Sequence, residues 1–339
     1  MRLSESTEVG FLRTLRSALG EGGCGVRLGI GDDAAVIDCP SGCALALSCD
    51  AAVEGVHFRR EWLTEQEIGG RAVRCALSDL AAMGAHPAAV LLTLIVSPDE
   101  DAAAAHRVVE GAASAASELG ARLVGGETVG SGGPLTLDVL VAGFVRTGRE
   151  LRRAGAQPGD VVAISGPLGD SAAGLAALEA GLHGPDAEAV IRRHKAPEPR
   201  LEVGAELAEC DGVHAAIDVS DGLLQDAGHM AEQSGVGLQL YVDSLPLSPA
   251  SQAIAERLSA DPLAWALTGG EDFELLVSVA ATEFGEVRRQ VKRSRGIGLE
   301  AIGQATEGAG VSLRRLDGAE VALPRTAGWD HFRARGTPP

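Results

Sequence analysis

Residues 64–84, TEQEIGGRAVRCALSDLAAMG, and residues 90–96, VLLTLIV, decide the fold of the first half of this chain. Apolar residues recur through the first stretch at the period of an α-helix, which predicts an amphipathic helix. Glu67 follows Thr64 by three residues, the spacing of an N-terminal capping box, and Gly84 suits the end of a helix. The second stretch predicts a buried strand. A capped helix followed closely by a buried strand is typical of mixed α/β proteins.

Strand-like and helix-like segments alternate along the rest of the chain, and this alternation predicts a mixed α/β fold throughout. Strands are predicted at 26–28, 34–37, 44–47, 122–124, 135–145, 161–165, 213–217 and 273–279, with two short strands near 310–323. Helices are predicted at about 98–119, from about 171, and at 186–194, 198–209, 221–233 and 281–294.

A stretch rich in Gly, Arg and Pro, residues 146–160, separates the two halves of the chain. The 339 residues are enough for two domains, at about 100–200 residues per domain. We therefore place a boundary near residue 148, with an N-terminal domain at 1–148 and a C-terminal domain at 149–339.

The charge balance argues against nucleic acid as a partner. The chain has 29 Lys and Arg against 47 Asp and Glu, a net charge of −18, and only 3% of its residues are aromatic. A duplex-binding protein usually has a basic face, and single-strand binding depends on aromatic stacking. An acidic chain still binds anions when metal cations lie between the two.

Membrane insertion and a structural zinc site are not expected either. The chain contains no apolar run of about 18 residues, the length that a membrane-spanning helix needs, and its first residues do not resemble a secretory signal. The six cysteines are irregularly spaced and form no CxxC pair. Reduced thiols in a cytoplasmic protein are therefore the expectation.

Nucleotide chemistry, if present, must be built without the familiar signatures, because the Walker P-loop, HExxH and GxSxG motifs are absent. The chain has instead a set of carboxylates beside Gly or Ser at predicted strand ends and helix starts. The set is Asp32, Asp33, Asp50, Asp79, Glu127, Asp170, Asp218, Asp221, Glu271 and Asp272. Converging carboxylates hold Mg²⁺ against substrate phosphates, although a single acid of this kind is more often a turn or N-cap residue.

Three positions have two interpretations each. Asp79 lies in an apolar stretch where a buried acid needs a partner such as a metal, but Ser78 and Asp79 could also face water together. His57, in the segment EGVHF, is either structural or functional. The segment DVSDG, residues 218–222, either caps the following helix with Ser220 or Asp221, or binds a phosphate at the helix N-terminus.

Seven motifs occur in an order that resembles one known family. They are GIGDDAAV (29–36), VEGVHF (53–58), LSDLAAMGA (77–85), GDSAAGL (169–175), IDVSDGL (217–223), GGEDFEL (269–275) and GWDHF (328–332). With these motifs the chain resembles the thiamine-monophosphate kinase family, within the wider aminoimidazole-ribonucleotide-synthetase-like group. The resemblance extends from about residue 5 to residue 332, and VEGVHF and GWDHF favour this family over its relatives.

The resemblance implies a kinase that transfers the γ-phosphoryl group of ATP to thiamine monophosphate, giving thiamine diphosphate and ADP, the last step of thiamine diphosphate biosynthesis. It also implies a homodimer and a two-domain α/β fold. The N-terminal domain would bind ATP and Mg²⁺ and pair its mixed sheet across the dimer. The C-terminal α/β domain would close the substrate site.

The family's functional positions carry over to named residues of this chain. The implied metal ligands are Asp33, Ser48, Cys49, Asp50, Asp79, Glu127, Asp218 and Asp221, of which Asp50, Asp79 and Asp218 are the most critical. The implied ATP contacts are Gly126, Glu127, Arg153 and Ser220, and the implied thiamine monophosphate contacts are His57, Glu271 and Trp329. An aromatic residue at the last position suits a cationic thiazolium ring.

This reaction suits a chain that has no side-chain nucleophile paired with a general base. The acceptor is an ionised phosphate, so no strong general base is needed. The difficulty is the repulsion between two anions, which positioning and charge neutralisation by several Mg²⁺ ions overcome. We expect direct in-line transfer without a phosphoenzyme, with Arg153 adding one fixed positive charge.

Two positions depart from the family's usual pattern. Glu127 stands where Asp is usual, and Cys49 stands where Thr is usual, directly before Asp50. Cys49 remains a ligand if the family residue uses its backbone carbonyl, whereas a thiol is a poor Mg²⁺ ligand. Two alternatives stay open: another enzyme of the same fold group, such as aminoimidazole ribonucleotide synthetase, and a nucleotide-binding dimer without catalysis.

Overall fold

Two compact units make up the chain, Met1–Glu150 and Leu151–Pro339. The computed structural model describes residues 25–28, 34–324 and 328–329. The predicted metal ligand Asp33 lies outside the described residues.

The first unit is built on a four-stranded sheet that packs against two helices. Its strands are β3 (Cys43–Val53), β4 (His86–Val96), β5 (Arg122–Gly130) and β6 (Thr136–Arg146), and its helices are α1 (Glu65–Ala82) and α2 (Ala102–Glu118). The strand order is β3-β6-β4-β5. Strand β6 is antiparallel to both β3 and β4, whereas β4 and β5 are parallel. A separate ribbon of β1 (Val26–Leu28) and β2 (Val36–Ile37) packs Val26 against the sheet.

Helix α1 confirms the predicted capping box. The Thr64 side chain accepts a hydrogen bond from the backbone N–H of Glu67, and the Glu67 side chain accepts one from the backbone N–H of Thr64. Helix α1 packs so closely on α2 that glycine is required, because a Cβ on Gly69 would lie 1.8 Å from the carbonyl oxygen of Val108. This contact fixes the position of Asp79 on α1.

Two edge strands are longer than predicted. Strand β3 continues through Asp50, and β5 continues through Glu127. Both are edge strands, where one side of the strand is unpaired and polar side chains reach solvent, so the apolar pattern that predicts strands fades there. The expectation that Asp50 and Glu127 stand at strand ends is therefore wrong, since both lie inside strands.

The second unit contains a seven-stranded sheet. Its strands are β7 (Val161–Ile164), β8 (Val213–Asp218), β9 (Gly237–Tyr241), β10 (Leu275–Val279), β11 (Glu300–Thr306), β12 (Gly310–Arg314) and β13 (Glu320–Val321). Their order is β13-β12-β9-β11-β7-β10-β8. Neighbouring strands are antiparallel, apart from the parallel pair β9 and β12.

Helices and one 3₁₀ turn complete the second unit. They are α3 (Asp170–Glu179), α4 (Pro185–Lys195), α5 (Leu201–Ala208), α6 (Leu223–Ser234), the 3₁₀ turn Val242–Ser244, α7 (Pro249–Leu258), α8 (Pro262–Thr268) and α9 (Phe284–Arg295). The mixed α/β fold is confirmed, but β9, β11, α7 and α8 were not predicted. Helices α7 and α8 begin at a Pro after an N-cap Ser or Asp; this start signal precedes stretches too short for a clear helical period.

None of the helices in the described part of the chain is both long and apolar enough to cross a membrane. Among the described residues, no disulfide joins the cysteines Cys39, Cys43, Cys49, Cys75 and Cys210.

Candidate functional site

The first unit brings three predicted metal ligands to one face of its sheet. Helix α1 packs on β3, and the Ser48 hydroxyl donates a hydrogen bond to Asp79 Oδ2 at 2.5 Å. Side chains two residues apart on a strand share a face, so Asp50 lies on the same face as Ser48. Ser78 is fully buried and Asp79 is half-buried, so the alternative in which both face water is wrong. A hydroxyl and two carboxylates form a donor set suited to a divalent cation.

Cys49 lies between these ligands in sequence, but its side chain is on the other face of the sheet. Strand β3 pairs with β6 without interruption from Cys43 to Val53, so successive side chains alternate between the two faces. Cys49 therefore shares its face with the exposed Leu47. Toward a cation beside Asp79, Cys49 can offer its backbone carbonyl but not its thiol, so replacement of the usual Thr leaves that donor unchanged.

Glu127 and Gly126 lie at the opposite edge of the sheet. Strands β6 and β4 separate β5 from β3, and three spacings of about 4.8 Å put the two edges about 14 Å apart. The register aligns Glu127 across the sheet with Ala51 of β3, which places Glu127 on the face away from Asp79. Within one chain, Glu127 therefore does not join the β3 ligands.

His57 is held by the turn that follows β3. Its Nδ1 accepts a hydrogen bond from the backbone N–H of Val53 at 3.0 Å, and its own backbone N–H donates to the Val53 carbonyl at 2.9 Å. A hydrogen bond accepted by Nδ1 assigns the proton of the neutral ring to Nε2. The ring thus carries its donor at Nε2, a group suited to binding a phosphate oxygen.

In the second unit, the loop 218–222 between β8 and α6 is held by a carboxylate that is not among the predicted site residues. Asp226 Oδ2 accepts hydrogen bonds from the backbone N–H groups of Ser220, Asp221 and Gly222 at 3.0, 3.1 and 3.1 Å. The N-cap residue of α6 is Gly222, with no side-chain cap. The expectation that Ser220 or Asp221 caps α6 is therefore wrong, because Asp226 satisfies these groups from within the helix.

Two distant segments meet this loop and bring the predicted substrate residues to it. The backbone N–H of Glu271 donates to the carbonyl of Ser220 at 2.7 Å, and that of Trp329 donates to the carbonyl of Asp221 at 3.0 Å. Asp218, the last residue of β8, is buried beside the loop. Backbone hydrogen bonds thus gather predicted metal, ATP and substrate residues that are far apart in sequence.

The loop is strongly negative. Burial, together with the negative charges of Asp218 and Asp221, raises the pKa of Asp226 to about 8. A bound cation would relieve this repulsion. Ligand atoms of Asp221, Asp226 and His229 lie within 4.8 Å of one another. Asp226 and His229 are not among the residues predicted from the sequence, although their spacing of three residues on a predicted helix places them on one face.

The loop 269–274 has a strained backbone that is anchored at alternate residues. Glu271 and Phe273 have φ of 57° and 53°, a left-handed conformation that is costly for residues with a side chain and that clusters at functional sites. Between them, the buried Asp272 accepts hydrogen bonds from the backbone N–H groups of Gly169 at 2.7 Å and Ser171 at 3.2 Å. Burial raises the pKa of Asp272 to about 7. These anchors fix the position of Glu271.

Glu274 anchors the end of the same loop. Its carboxylate, which is fully buried, accepts hydrogen bonds from Ser165 Oγ at 2.6 Å, from Arg193 at 2.8 Å and from Arg200 Nε at 2.7 Å. A buried carboxylate is tolerated when its charge is paired and its oxygens are hydrogen-bonded. Glu274 therefore holds the loop to α4 and α5.

Arg153 does not contact the residues gathered at the loop 218–222. It is exposed, and its carbonyl accepts a hydrogen bond from Ser234 Oγ at 3.2 Å. Ser234 ends the 12-residue helix α6, whereas Ser220 precedes the start of that helix, and a helix of this length spans about 18 Å. An ATP contact by Arg153 stays a prediction.

The fold and the acidic loops define a class of protein. A family model described as AIR synthase related protein, N-terminal domain, matches residues 31–145, and a model described as AIR synthase related protein, C-terminal domain, matches residues 157–315. One match lies in each compact unit, and the fold is that of the AIR synthase related proteins.

Known proteins of this class resemble the chain over almost its whole length. A thiamine-monophosphate kinase of Escherichia coli (strain K12) is 39% identical over 310 residues, covering 91% of this chain and 92% of that protein. The chain belongs to the thiamine-monophosphate kinase family, which confirms the resemblance read from the motifs.

Two solved structures agree with this family. The thiamine-monophosphate kinase from Stenotrophomonas maltophilia K279a has a TM-score of 0.79 at 35% identity, covering 95% of this chain and 99% of that chain. AaThiL complexed with AMPPCP and TMP has a TM-score of 0.77 at 30% identity, covering 98% of this chain and 99% of that chain.

Proposed function

We propose that this protein transfers the γ-phosphoryl group of ATP to thiamine monophosphate, forming thiamine diphosphate and ADP. The proposal rests on one structural observation: backbone hydrogen bonds connect the loop 218–222 with Glu271 and Trp329. The chain's relatives are thiamine-monophosphate kinases. The complex of AaThiL with AMPPCP and TMP supports two ligands on this fold.

Mg²⁺ fits the oxygen donors of both units. The first unit offers the carboxylates of Asp50 and Asp79 with the hydroxyl of Ser48, and the second offers Asp218 and Asp221. Mg²⁺ takes few carboxylate ligands and completes its shell with water and phosphate oxygens. Bound there, several ions would neutralise the charge between the two phosphate groups.

The chain's own side chains bind and orient the reactants. His57 Nε2 donates to the phosphate of thiamine monophosphate, and Glu271 and Trp329 attract its thiazolium ring. Gly126 and Ser220 contact ATP. Because the acceptor phosphate is already ionised, transfer is direct and in line, without a side-chain acid or base and without a phosphoenzyme.

A homodimer formed through the first unit, the unit to which the proposal assigns ATP and Mg²⁺, belongs to the same proposal. Leu45 and Leu47 on the edge strand β3 are 53% and 61% exposed, an apolar band that a partner sheet would cover. Glu127 lies on the same face of the sheet as Leu47 and would therefore face the partner in such a dimer. Light scattering tests the dimer, and Leu47→Glu is expected to give a monomer.

The proposed reaction is tested by incubating the protein with ATP, Mg²⁺ and thiamine monophosphate and separating the thiamine esters by chromatography. Thiamine diphosphate is expected, and none is expected with EDTA or with free thiamine as the acceptor. ATP binding without product would instead support a nucleotide-binding protein without catalysis. Label retained on the denatured protein from γ-labelled ATP would contradict direct transfer.

A further inference from the structure

The segment 54–60, which carries His57, is tied at both of its ends by one carboxylate. At the start of the segment, the backbone N–H of Glu54 donates to the carbonyl of Leu135 at 2.9 Å, and Glu54 Oε2 accepts a hydrogen bond from the backbone N–H of Leu135 at 3.3 Å. At the end of the segment, Arg60 Nε donates to the same Glu54 Oε2 at 3.1 Å. The Glu54 carboxylate therefore connects the two ends of the segment to each other and to the residue that precedes β6.

Arg60 extends this connection to the start of α2. Its Nη1 lies 2.7 Å from Glu100 Oε2, and Glu100 directly precedes Asp101, the N-cap residue of α2. A guanidinium group presents its donors in a rigid fork, so one Arg bridges two carboxylates that belong to different segments. We call Glu54, Arg60 and Glu100 the clamp. All three side chains are partly exposed, and ion pairs of this kind contribute little to overall stability, so the effect of the clamp is mainly on the placement of the segment.

Backbone hydrogen bonds fix the shape of the turn inside the clamp. The N–H of Gly55, which has a φ of 79°, donates to the carbonyl of the buried Phe58 at 2.8 Å. The ring and the backbone of His57 are both hydrogen-bonded to Val53. These bonds orient the His57 ring relative to Val53, whereas the clamp holds the whole turn against β6 and the start of α2.

Resting on the function proposed above, we propose that Glu54 and Arg60 are positioning residues that hold the His57 ring in place for the phosphate of thiamine monophosphate. Neither residue touches the substrate in this proposal, because a carboxylate repels a phosphate and two carboxylates offset the charge of Arg60. The clamp supplies a fixed position for His57 Nε2. A donor that is held in place before binding does not have to be ordered when the ligand arrives.

The decisive variant is Glu54→Gln, which keeps the shape of the side chain and an acceptor for the Leu135 N–H but removes the charge that attracts Arg60. We expect its KM for thiamine monophosphate to rise about fivefold, with kcat and the KM for ATP changed less than about twofold, the pattern of lost ground-state binding. The matched control is Glu61→Gln, which removes an exposed carboxylate that lies 3.6 Å from Arg59. The control is expected to change none of these constants.

A double-mutant cycle tests whether Glu54 acts through His57. Adding Glu54→Gln to His57→Ala is expected to leave the KM for thiamine monophosphate unchanged, because a positioning residue has no effect once the group that it positions is gone. Circular dichroism first establishes that each variant folds. A rise of the same factor in both backgrounds would show that Glu54 acts independently of His57 and would overturn the proposal.

The part played by Arg60 is tested with Arg60→Met and the milder Arg60→Lys. The Met variant keeps an unbranched stem but loses both ion pairs, so its KM for thiamine monophosphate is expected to rise at least as far as that of Glu54→Gln. The Lys variant keeps the charge without the fork and is expected to have an intermediate KM. Adding Glu54→Gln to Arg60→Met is expected to raise the KM no further, since both changes open the same clamp.

The position of the His57 ring also has a readout that does not require turnover. In protein labelled with ¹⁵N-histidine, the chemical shifts of the two ring nitrogens report which of them carries the proton. The His57 signals, assigned by their loss in His57→Ala, are expected to show one neutral form with the proton on Nε2 in the wild type and in Glu61→Gln. In Glu54→Gln they are expected to move toward an average of the two neutral forms.

The two proposals fail in different ways. A wild-type protein that forms no thiamine diphosphate, but whose His57 signals and calorimetric affinity for thiamine monophosphate change in Glu54→Gln, would overturn the proposed function and keep the positioning role. A wild-type protein that forms product, with the KM for thiamine monophosphate and the His57 signals unchanged in Glu54→Gln and Arg60→Met, would overturn the positioning role alone.

Discussion

Replacement of Gly174 by Ala is expected to destabilise the second unit, although Ala is the better helix former. Gly174 lies in α3, where a Cβ would be 2.3 Å from the carbonyl oxygen of Val190 and 2.8 Å from the Cβ of His194, both on α4. Non-bonded heavy atoms prefer separations of about 3.5–4.0 Å, so α4 would have to move by about 1 Å. A backbone carbonyl cannot rotate away from the contact as a side chain can.

Gly228 in α6 provides the matched control, because no atom lies within 4 Å of a Cβ built there. Both substitutions gain about 1 kcal/mol of helix propensity, so the difference between them isolates the steric cost. Overpacking costs about 1–3 kcal/mol, and contact with backbone favours the upper end. We therefore expect Gly174→Ala to be less stable than the wild type by about 2 kcal/mol and Gly228→Ala to be more stable by up to about 1 kcal/mol.

Scanning calorimetry measures this difference. One kcal/mol shifts the Tm of a unit of this size by about 2–4 °C, so the two variants should melt about 6–12 °C apart. A Gly174→Ala variant that melts at or above the Gly228→Ala variant would refute the steric argument.

Three further predictions concern charged groups. Glu274→Gln should lower the free energy of unfolding in urea by about 3 kcal/mol, because it removes the fully buried carboxylate that pairs with the half-buried Arg193 and Arg200 and leaves them only the exposed Glu198; a loss below about 1 kcal/mol would contradict the pairing. The contribution of Asp272 to stability should fall by up to about 4 kcal/mol as the pH rises from about 4 to about 7, because the unfolded chain releases the Asp272 proton over that range whereas the folded chain, with an Asp272 pKa of about 7, retains it. Below this range both states hold the proton, and above it neither does. Asp272→Asn should therefore make the free energy of unfolding depend less on pH, as measured by urea titrations at a series of pH values. Asp79→Asn should lower kcat/KM about 100-fold and raise the Mg²⁺ concentration needed for half-maximal rate, whereas EDTA should abolish turnover of the wild type; an unchanged Mg²⁺ requirement in Asp79→Asn would remove Asp79 from the metal site.

Local sequence was sufficient for features that depend on neighbouring residues. The capping box at Thr64 and the apolar period that follows it placed α1 within one or two residues of its observed bounds. The edge strand β3 was harder, because an edge strand with exposed side chains lacks the burial that makes a strand visible in sequence. The observed length of β3 matters for the site, because side chains alternate along an unbroken strand and Cys49 and Asp50 therefore lie on opposite faces of the sheet.

Asp226 shows a second limit. Nothing in the segment LLQDAGH separates Asp226 from an ordinary helical surface acid, yet in the structure it orders the loop 218–222. Its role depends on a chain reversal between β8 and α6 that leaves three backbone N–H groups facing one carboxylate. Such groups are donors that any sequence possesses, so only the folded backbone shows which side chain satisfies them.

The amino-acid sequence by itself determined the α/β class, the family and the identity of the acidic residues, because periodicity and motif order are properties of the linear chain. Tertiary structure alone decided which of the predicted site residues lie together. Ser48 joins Asp79, and Glu271 and Trp329 join the loop 218–222, whereas Glu127 remains at the far edge of the sheet. The physical reason is that strand order, register and face are fixed by packing between segments distant in sequence.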